Sequence, residues 1–218
     1  GIETDINGAT RIKGVWAAGE AACVSLHGAN RLGSNSTAEC LVWGKITGAE
    51  TAKYCAEKSG VADLPEDVAA EEQTLLFEKL LKQDGEENVY QLRTELRKCM
   101  DDYVGVYRTG EELNKALEII KQIKSRYNHI KIDDKSHTYN TNLIHALELR
   151  NLIDLAEAMV TGAVVRTESR GAHARRDFTV RDDENWLKHT LAFYGPDGPK
   201  LEYKPVNITT WKPVERKY

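Results

Sequence analysis

Arg31 stands on a glycine-rich stretch, His27-Gly28-Ala29-Asn30-Arg31-Leu32-Gly33, that leads into Ser34-Asn35-Ser36-Thr37-Ala38-Glu39. A guanidinium on a loop of small residues presents a planar fork of donors, a shape that grips a carboxylate through two bonds. Ser36-x-x-Glu39 has the spacing of a capping box and predicts a helix that starts at Ser36. That helix would run to Lys58 and stop at Gly60. Its N-terminus, around Ser36 and Thr37, would offer unpaired N–H groups and a partial positive charge, which favour an anion. Upstream, Val15-Trp16-Ala17-Ala18-Gly19-Glu20 reads as a short buried strand ending in an acid. Small residues there admit a ligand close to the backbone. Glu20 would sit at a strand's C-terminal end, where an acid can accept hydrogen bonds from sugar or polyol hydroxyls. Each feature also has a plainer reading: a surface arginine, an ordinary turn, a surface glutamate.

The elements that must position these residues follow from proline placement and periodicity. The five prolines are Pro65, Pro196, Pro199, Pro205 and Pro213, so the stretch between the first two can hold long helices. Val89, Leu92, Leu96 and Met100 recur at helical spacing, as do Leu113, Leu117, Ile120 and Ile123. A third stripe runs Leu149, Leu152, Ala156, Val160, Ala163, on a helix expected to start near Asn140 and end before Gly171. Thr109 before Glu111 and Glu112 marks the second helix's start. A shorter helix is expected over 68–83, with Leu76 and Leu80 inward. Every Leu, Ile and Met of these helices is read as core. Gly44 and Gly48 on the earlier helix allow close packing against another element.

Three amphipathic helices imply an antiparallel three-helix bundle, spectrin-repeat-like. The expected fold is mainly α, with a strand–loop–helix segment before the bundle and an extended tail after it. Thr190–Tyr194, the turn Gly195-Pro196-Asp197-Gly198, and Leu201–Tyr203 read as a short hairpin in that tail. The division expected is 1–60, 61–170 and 171–218.

The 218 residues carry 30 Lys and Arg against 34 Asp and Glu, so no basic excess points to nucleic acid. No apolar run approaches the roughly 18 residues of a membrane span. The chain opens Gly1-Ile2-Glu3, without Met and without a signal-peptide pattern, a hint of a piece of something longer. Cys23, Cys40, Cys55 and Cys99 have no C-x-x-C spacing, so reduced thiols are expected rather than a zinc site. Arg166, Arg170, Arg175, Arg176 and Arg181 cluster with Glu168, Asp177, Asp182, Asp183 and Glu184. This is either an intramolecular ion-pair network or a docking face.

Gly14-Val15-Trp16-Ala17-Ala18-Gly19-Glu20 followed by His27-Gly28-Ala29-Asn30-Arg31-Leu32-Gly33-Ser34-Asn35-Ser36 resembles the flavoprotein subunit of succinate dehydrogenase and fumarate reductase. The resemblance continues through Val106-Tyr107-Arg108-Thr109-Gly110, Glu148-Leu149-Arg150-Asn151-Leu152, Glu168-Ser169-Arg170-Gly171-Ala172-His173-Ala174-Arg175, and Arg181-Asp182-Asp183-Glu184-Asn185-Trp186-Leu187-Lys188-His189-Thr190. L-aspartate oxidase shares parts of these motifs. The Asp182–Thr190 run and the closing Arg216-Lys217-Tyr218 resemble succinate dehydrogenase better.

The resemblance implies FAD as cofactor. Glu20 would bind its ribityl or ribose hydroxyls, Ser36 and Thr37 would open the helix that faces its ring, and Arg31 would hold a carboxylate of succinate or fumarate. The family usually has Leu at position 37, which favours a backbone contact there. Ser169–His173 is read as a chain reversal, and His27, His173 and His189 as packing or hydrogen-bonding residues. No catalytic residue is assigned: the FAD pyrophosphate motif, the FAD-tethering His, the proton-transferring Arg and a substrate-binding His all fall outside this sequence. The chain then reads as the C-terminal third of the subunit, inactive alone. Residues 1–60 are the end of an FAD-binding domain, 61–170 the helical domain and 171–218 the tail. Partners implied are the remainder of the flavoprotein, an iron–sulfur subunit and membrane anchor subunits. The location implied is peripheral on the cytoplasmic side of the cell membrane, or the matrix side of the mitochondrial inner membrane. A freestanding helical interaction module is the reading from another class.

Overall fold

A computed structural model describes residues 1–58, 60 and 63–214. In chain order the elements are β1 (Ile2–Glu3), a 3-10 turn (Gly19–Ala21), β2 (Ala22–Cys23), α1 (Asn35–Ala56), α2 (Glu66–Gln73), a π-helical segment (Thr74–Leu80), β3 (Glu87–Asn88), α3 (Val89–Tyr103), β4 (Tyr107–Arg108), α4 (Gly110–Tyr127), β5 (Ile130–Lys131), α5 (Thr141–Val165), β6 (Ala174–Arg175), α6 (Asp183–Trp186), β7 (Lys188–Phe193) and β8 (Lys200–Pro205). The fold is mainly helical with small two-stranded sheets. Two compact units result: Gly1–Gly60 with Arg181–Leu191 and Leu201–Tyr218, and Val61–Val180 with Ala192–Lys200. The segment after residue 170 is therefore shared between both units.

In the helical unit the sequence supplies its own caps. Asn88 Oδ1 accepts from the Tyr90 and Gln91 amides at the start of α3. Thr109 Oγ1 accepts from Glu112 N at 3.2 Å, with Glu111 and Glu112 in the first turn of α4 and Lys124 and Arg126 in its last. Asn140 Oδ1 accepts from Leu143 N at 2.8 Å and opens α5. Val89, Leu92, Leu96 and Cys99 of α3 share one core with Leu113, Ala116, Ile120 and Ile123 of α4 and Leu149, Ile153, Ala156 and Val160 of α5. Each fully buried Leu or Ile contributes about 1.5–3 kcal/mol relative to exposure. Two parallel pairings cross between helices: Glu87 and Asn88 with Ile130 and Lys131, and Tyr107 and Arg108 with Ala174 and Arg175.

The end of α5 is closed by a side chain from well downstream. Arg175, 4% exposed, donates from Nη1 to the carbonyls of Ala163, Val164 and Arg166 and grips Asp177 with Nε and Nη2. A cation on the last carbonyls of a helix opposes the negative end of its dipole. Asp177 also accepts from Gly110 N at 2.8 Å, and the Arg175 guanidinium holds its carboxyl well below the usual range. Arg170 and His173 exchange backbone bonds around Gly171, whose φ of +59° suits glycine, so Ser169–His173 is a tight reversal. His173 Nδ1 accepts from Arg108 and Nε2 donates to the Arg166 carbonyl, which fixes the neutral Nε2–H tautomer. Burial and the surrounding arginines lower its pKa.

Several expectations need correction. The core does not take every apolar residue of the long helix: Ile144, Leu152, Leu155 and Met159 of α5 are exposed. The helix expected over 68–83 comprises α2 and the π segment, which ends at Leu80. Arg175 is buried against α5 and is withdrawn from any docking face; Arg166 and Arg170 pair with buried Glu168 and Arg181 with Asp183, while exposed Arg176 lies over the Tyr107 ring. β7 and β8 pair as a hairpin whose turn carries a Gly198 N to Gly195 O bond. The closing Arg216-Lys217-Tyr218 lies outside the described residues.

Candidate functional site

All the candidate site residues lie in the first unit. The expected strand leading to Glu20 does not form among the described residues. Val15 is 46% exposed, and the segment makes one antiparallel bridge, Ala9 with Trp16, around the Ile12–Val15 turn. Thr10 is bonded to its own loop, and Gly14 has φ +87°, so this stretch closes on itself instead of extending into a sheet. Glu20 projects, exposed, from the 3-10 turn Gly19–Ala21. Gly19 has φ +73°, and a Cβ there would meet Cys40 Sγ of α1 at 3.1 Å. The small residue is required because the turn lies directly against the helix.

The helix start also differs. α1 begins at Asn35 behind Ser34, which has φ +66° and makes no side-chain capping bond. Ser36 is one position inside the helix, half-buried, and Thr37 beside it is exposed. Glu39 does not close a capping box. It is buried and its Oε2 pairs with His27 Nε2 at 2.5 Å. The capping geometry fails because the half-buried His27 imidazole competes for the carboxylate and the chain enters α1 through a left-handed residue. At the other end α1 stops at Ala56, with Glu57 as its C-cap, rather than at Lys58 and Gly60. Gly44 and Gly48 face open space and bring no element close.

Arg31 is exposed on the loop before α1. Its Nη1 lies 3.4 Å from the Leu32 carbonyl, and it makes no ion pair among the described residues. Three of the six histidines, the ones singled out above, are bonded within the chain: His27 to Glu39, His173 to Arg108 and Arg166, and His189 Nε2 to Ser25 Oγ at 2.8 Å. A cavity of about 270 Å³ lies between the loop and α1, lined by Leu26, His27, Leu32, Asn35, Ala38, Glu39, Val42 and Trp43. The partnership of His27 with Glu39 went unseen in the sequence; a carboxylate inside the turn after a histidine-bearing loop was its only signal. The four cysteines are free, and no cluster among the described residues could hold a metal ion. No helix among them is long and apolar enough to cross a membrane.

These parts suit one kind of ligand set. The first-turn amides of α1 have no side-chain cap; Asn35 N bonds the Leu32 carbonyl, and the amides after it are suited to an electron-rich group. A glycine turn packed on the helix carries an exposed carboxylate, and an unpaired guanidinium stands on the adjoining loop. This donor set fits part of a nucleotide cofactor beside a carboxylate-bearing molecule.

The fumarate reductase flavoprotein C-terminal family matches residues 93–218, and the FAD-binding domain family matches residues 1–37. The fumarate reductase flavoprotein subunit of Haemophilus influenzae is 44% identical over the whole chain, which spans 37% of that protein. The succinate dehydrogenase flavoprotein subunit of Rickettsia conorii is 43% identical over 91% of the chain and 33% of its own length. The solved quinol fumarate reductase of E. coli superposes with a TM-score of 0.92 at 42% identity, covering 99% of this chain and 37% of that one. The chain belongs to the succinate dehydrogenase and fumarate reductase flavoprotein family. It spans little more than a third of the length of the curated relatives it matches.

Proposed function

We propose that the chain is the C-terminal part of an FAD-dependent flavoprotein subunit that interconverts succinate and fumarate. Residues 1–60 close the FAD-binding domain, 61–170 form the helical domain, read as an antiparallel three-helix bundle, and 171–218 form the C-terminal segment. The observation that carries the reading is Arg31, exposed and without an acid partner beside an uncapped helix start, in a chain 44% identical along its length to a fumarate reductase flavoprotein. When bound, FAD supplies the hydride acceptor or donor. Arg31 grips one carboxylate of the dicarboxylate and orients its central carbons. Glu20 accepts hydrogen bonds from the cofactor's polyol hydroxyls. The amides at Ser36 and Thr37, with the positive end of α1, favour negative charge on the ring. The group that moves the proton is assigned to the remainder of the subunit.

By the same reading, the remainder of the flavoprotein covers the first unit. An iron–sulfur subunit takes the electrons, and anchor subunits hold the assembly at the membrane as a peripheral subunit. The side is cytoplasmic, or the matrix side in a mitochondrion. The test is succinate-dependent dye reduction by the full-length subunit, with Arg31→Gln expected to lower kcat/KM by at least about 100-fold. The chain alone is expected to hold no flavin; stoichiometric FAD with turnover in the isolated chain would overturn the assignment of the other functional parts to the remainder.

A further inference from the structure

The pair of half-buried His27 with buried Glu39 has no part in the function just proposed. α1 is 22 residues long, and the residue it buries is a carboxylate, Glu39. A carboxylate out of water is unfavourable unless it is paired. Its partner is His27 Nε2 at 2.5 Å, with side-chain exposures of 21% for His27 and 5% for Glu39. Both line the 270 Å³ cavity, whose other walls include Leu26, Leu32, Val42 and Trp43.

The pair joins the two ends of one loop. His27 immediately precedes Gly28, and Glu39 lies just inside α1. Between them the backbone passes through φ +62° at Gly28 and +66° at Ser34, and both Gly28 and Gly33 face open space. The bonds inside the loop are Asn35 N to Leu32 O at 3.3 Å and Arg31 Nη1 to the same carbonyl at 3.4 Å. A loop with so little scaffolding of its own is held through its ends.

We propose that His27 and Glu39 are positioning residues for Arg31: their bond fixes the span of the 28–34 loop and so the place of the guanidinium that receives a substrate carboxylate. The proposal rests on the reading of Arg31 as the carboxylate-binding residue.

The test uses the full-length, flavin-loaded subunit and three variants, Glu39→Leu, Glu39→Gln and Arg31→Gln. Two quantities are read: the KM and kcat for succinate, and the Kd of malonate, a dicarboxylate that cannot be oxidised in the same way, by calorimetry. Glu39→Leu is expected to raise the succinate KM and the malonate Kd by about 10-fold or more while kcat changes by less than about 3-fold, since a misplaced clamp weakens binding before it alters chemistry. Glu39→Gln, which keeps an acceptor for His27, is expected to restore both to within about 3-fold of the parent. An unchanged KM and Kd with only a lower melting temperature overturns the proposal and leaves the pair a structural one. If Glu39→Leu does not fold, His27→Phe, which keeps a ring in the cavity wall and removes the bond, is read in the same way. Failure of the underlying reading shows differently: Arg31→Gln would then bind malonate as the parent does, whatever the pair does.

Discussion

α4 turns Leu113, Ala116, Ile120 and Ile123 inward against α3 and α5, whereas α1, the longer helix, buries Glu39 and leaves Leu41 and Val42 exposed. The same contrast extends to the units that hold them. The helical unit has a continuous core of large side chains. Among the described residues of the first unit, the buried ones are Thr4, Gly8, Ala17, Gly19 and Glu39, while Ile2, Ile6, Ile12, Leu26 and Leu32 are exposed. One unit closes its own hydrophobic surface. The other leaves several of its large apolar side chains exposed. Within the helical unit α5 shows both patterns: one face is core and another carries Ile144, Leu155 and Met159 in the open.

The contrast can be tested by substitution, and the largest effect should come from Arg175. Arg175→Leu strips Asp177 of its cationic partner and three carbonyls at the end of α5 of their donor, and should cost the helical unit about 4 kcal/mol in urea unfolding followed by circular dichroism. Next is Leu113→Ala, fully buried, at about 3 kcal/mol, against under about 0.5 kcal/mol for Leu41→Ala on α1. Equal costs at these two positions would break the comparison. A pH effect should follow from His173. Its pKa is lowered from 6.5 by burial and neighbouring arginines, so the unfolded chain takes up the proton more readily. The stability it contributes is present above pH 6.5 and lost as pH falls below it. Thermal midpoints of the helical unit should drop between pH 7 and 5, and His173→Gln should flatten that slope.

The smallest effect belongs to the first unit. Arg11 and Lys204 hold the Glu3 carboxyl at about 2, down from 4.5. The benefit is present above pH 4.5 and fades as pH falls toward 2. Because Arg11 is more than half exposed, Glu3→Gln should cost under about 1 kcal/mol at neutral pH, and less in high salt.

The helical unit was legible because local signals agreed with tertiary ones. Thr109 and Asn140 stand where caps were expected, and the stripes through Leu92, Leu113 and Leu149 are core. The site was legible as a set of residues but not as geometry. Ser36-x-x-Glu39 matched a capping pattern, but the carboxylate was taken by His27, a choice that depends on the path of an intervening loop. Glu20 was placed on a strand because Val15-Trp16-Ala17 is apolar. A strand needs a neighbour, and there the chain pairs only Ala9 with Trp16. Leu152 matched the period of α5 yet faces out, because a helix apolar on more than one side gives no phase to choose between them.

The parallel pairing of β4 with β6 has a kinetic consequence. Tyr107 and Arg108 meet Ala174 and Arg175 only after α4 and α5 have both been laid down between them. Such a long closure is expected late in folding, after the local helices have formed. Arg175 would then contribute little at the rate-limiting barrier. Its loss should accelerate unfolding far more than it slows refolding, making the last carbonyls of α5 the latch that sets how long the helical unit stays folded.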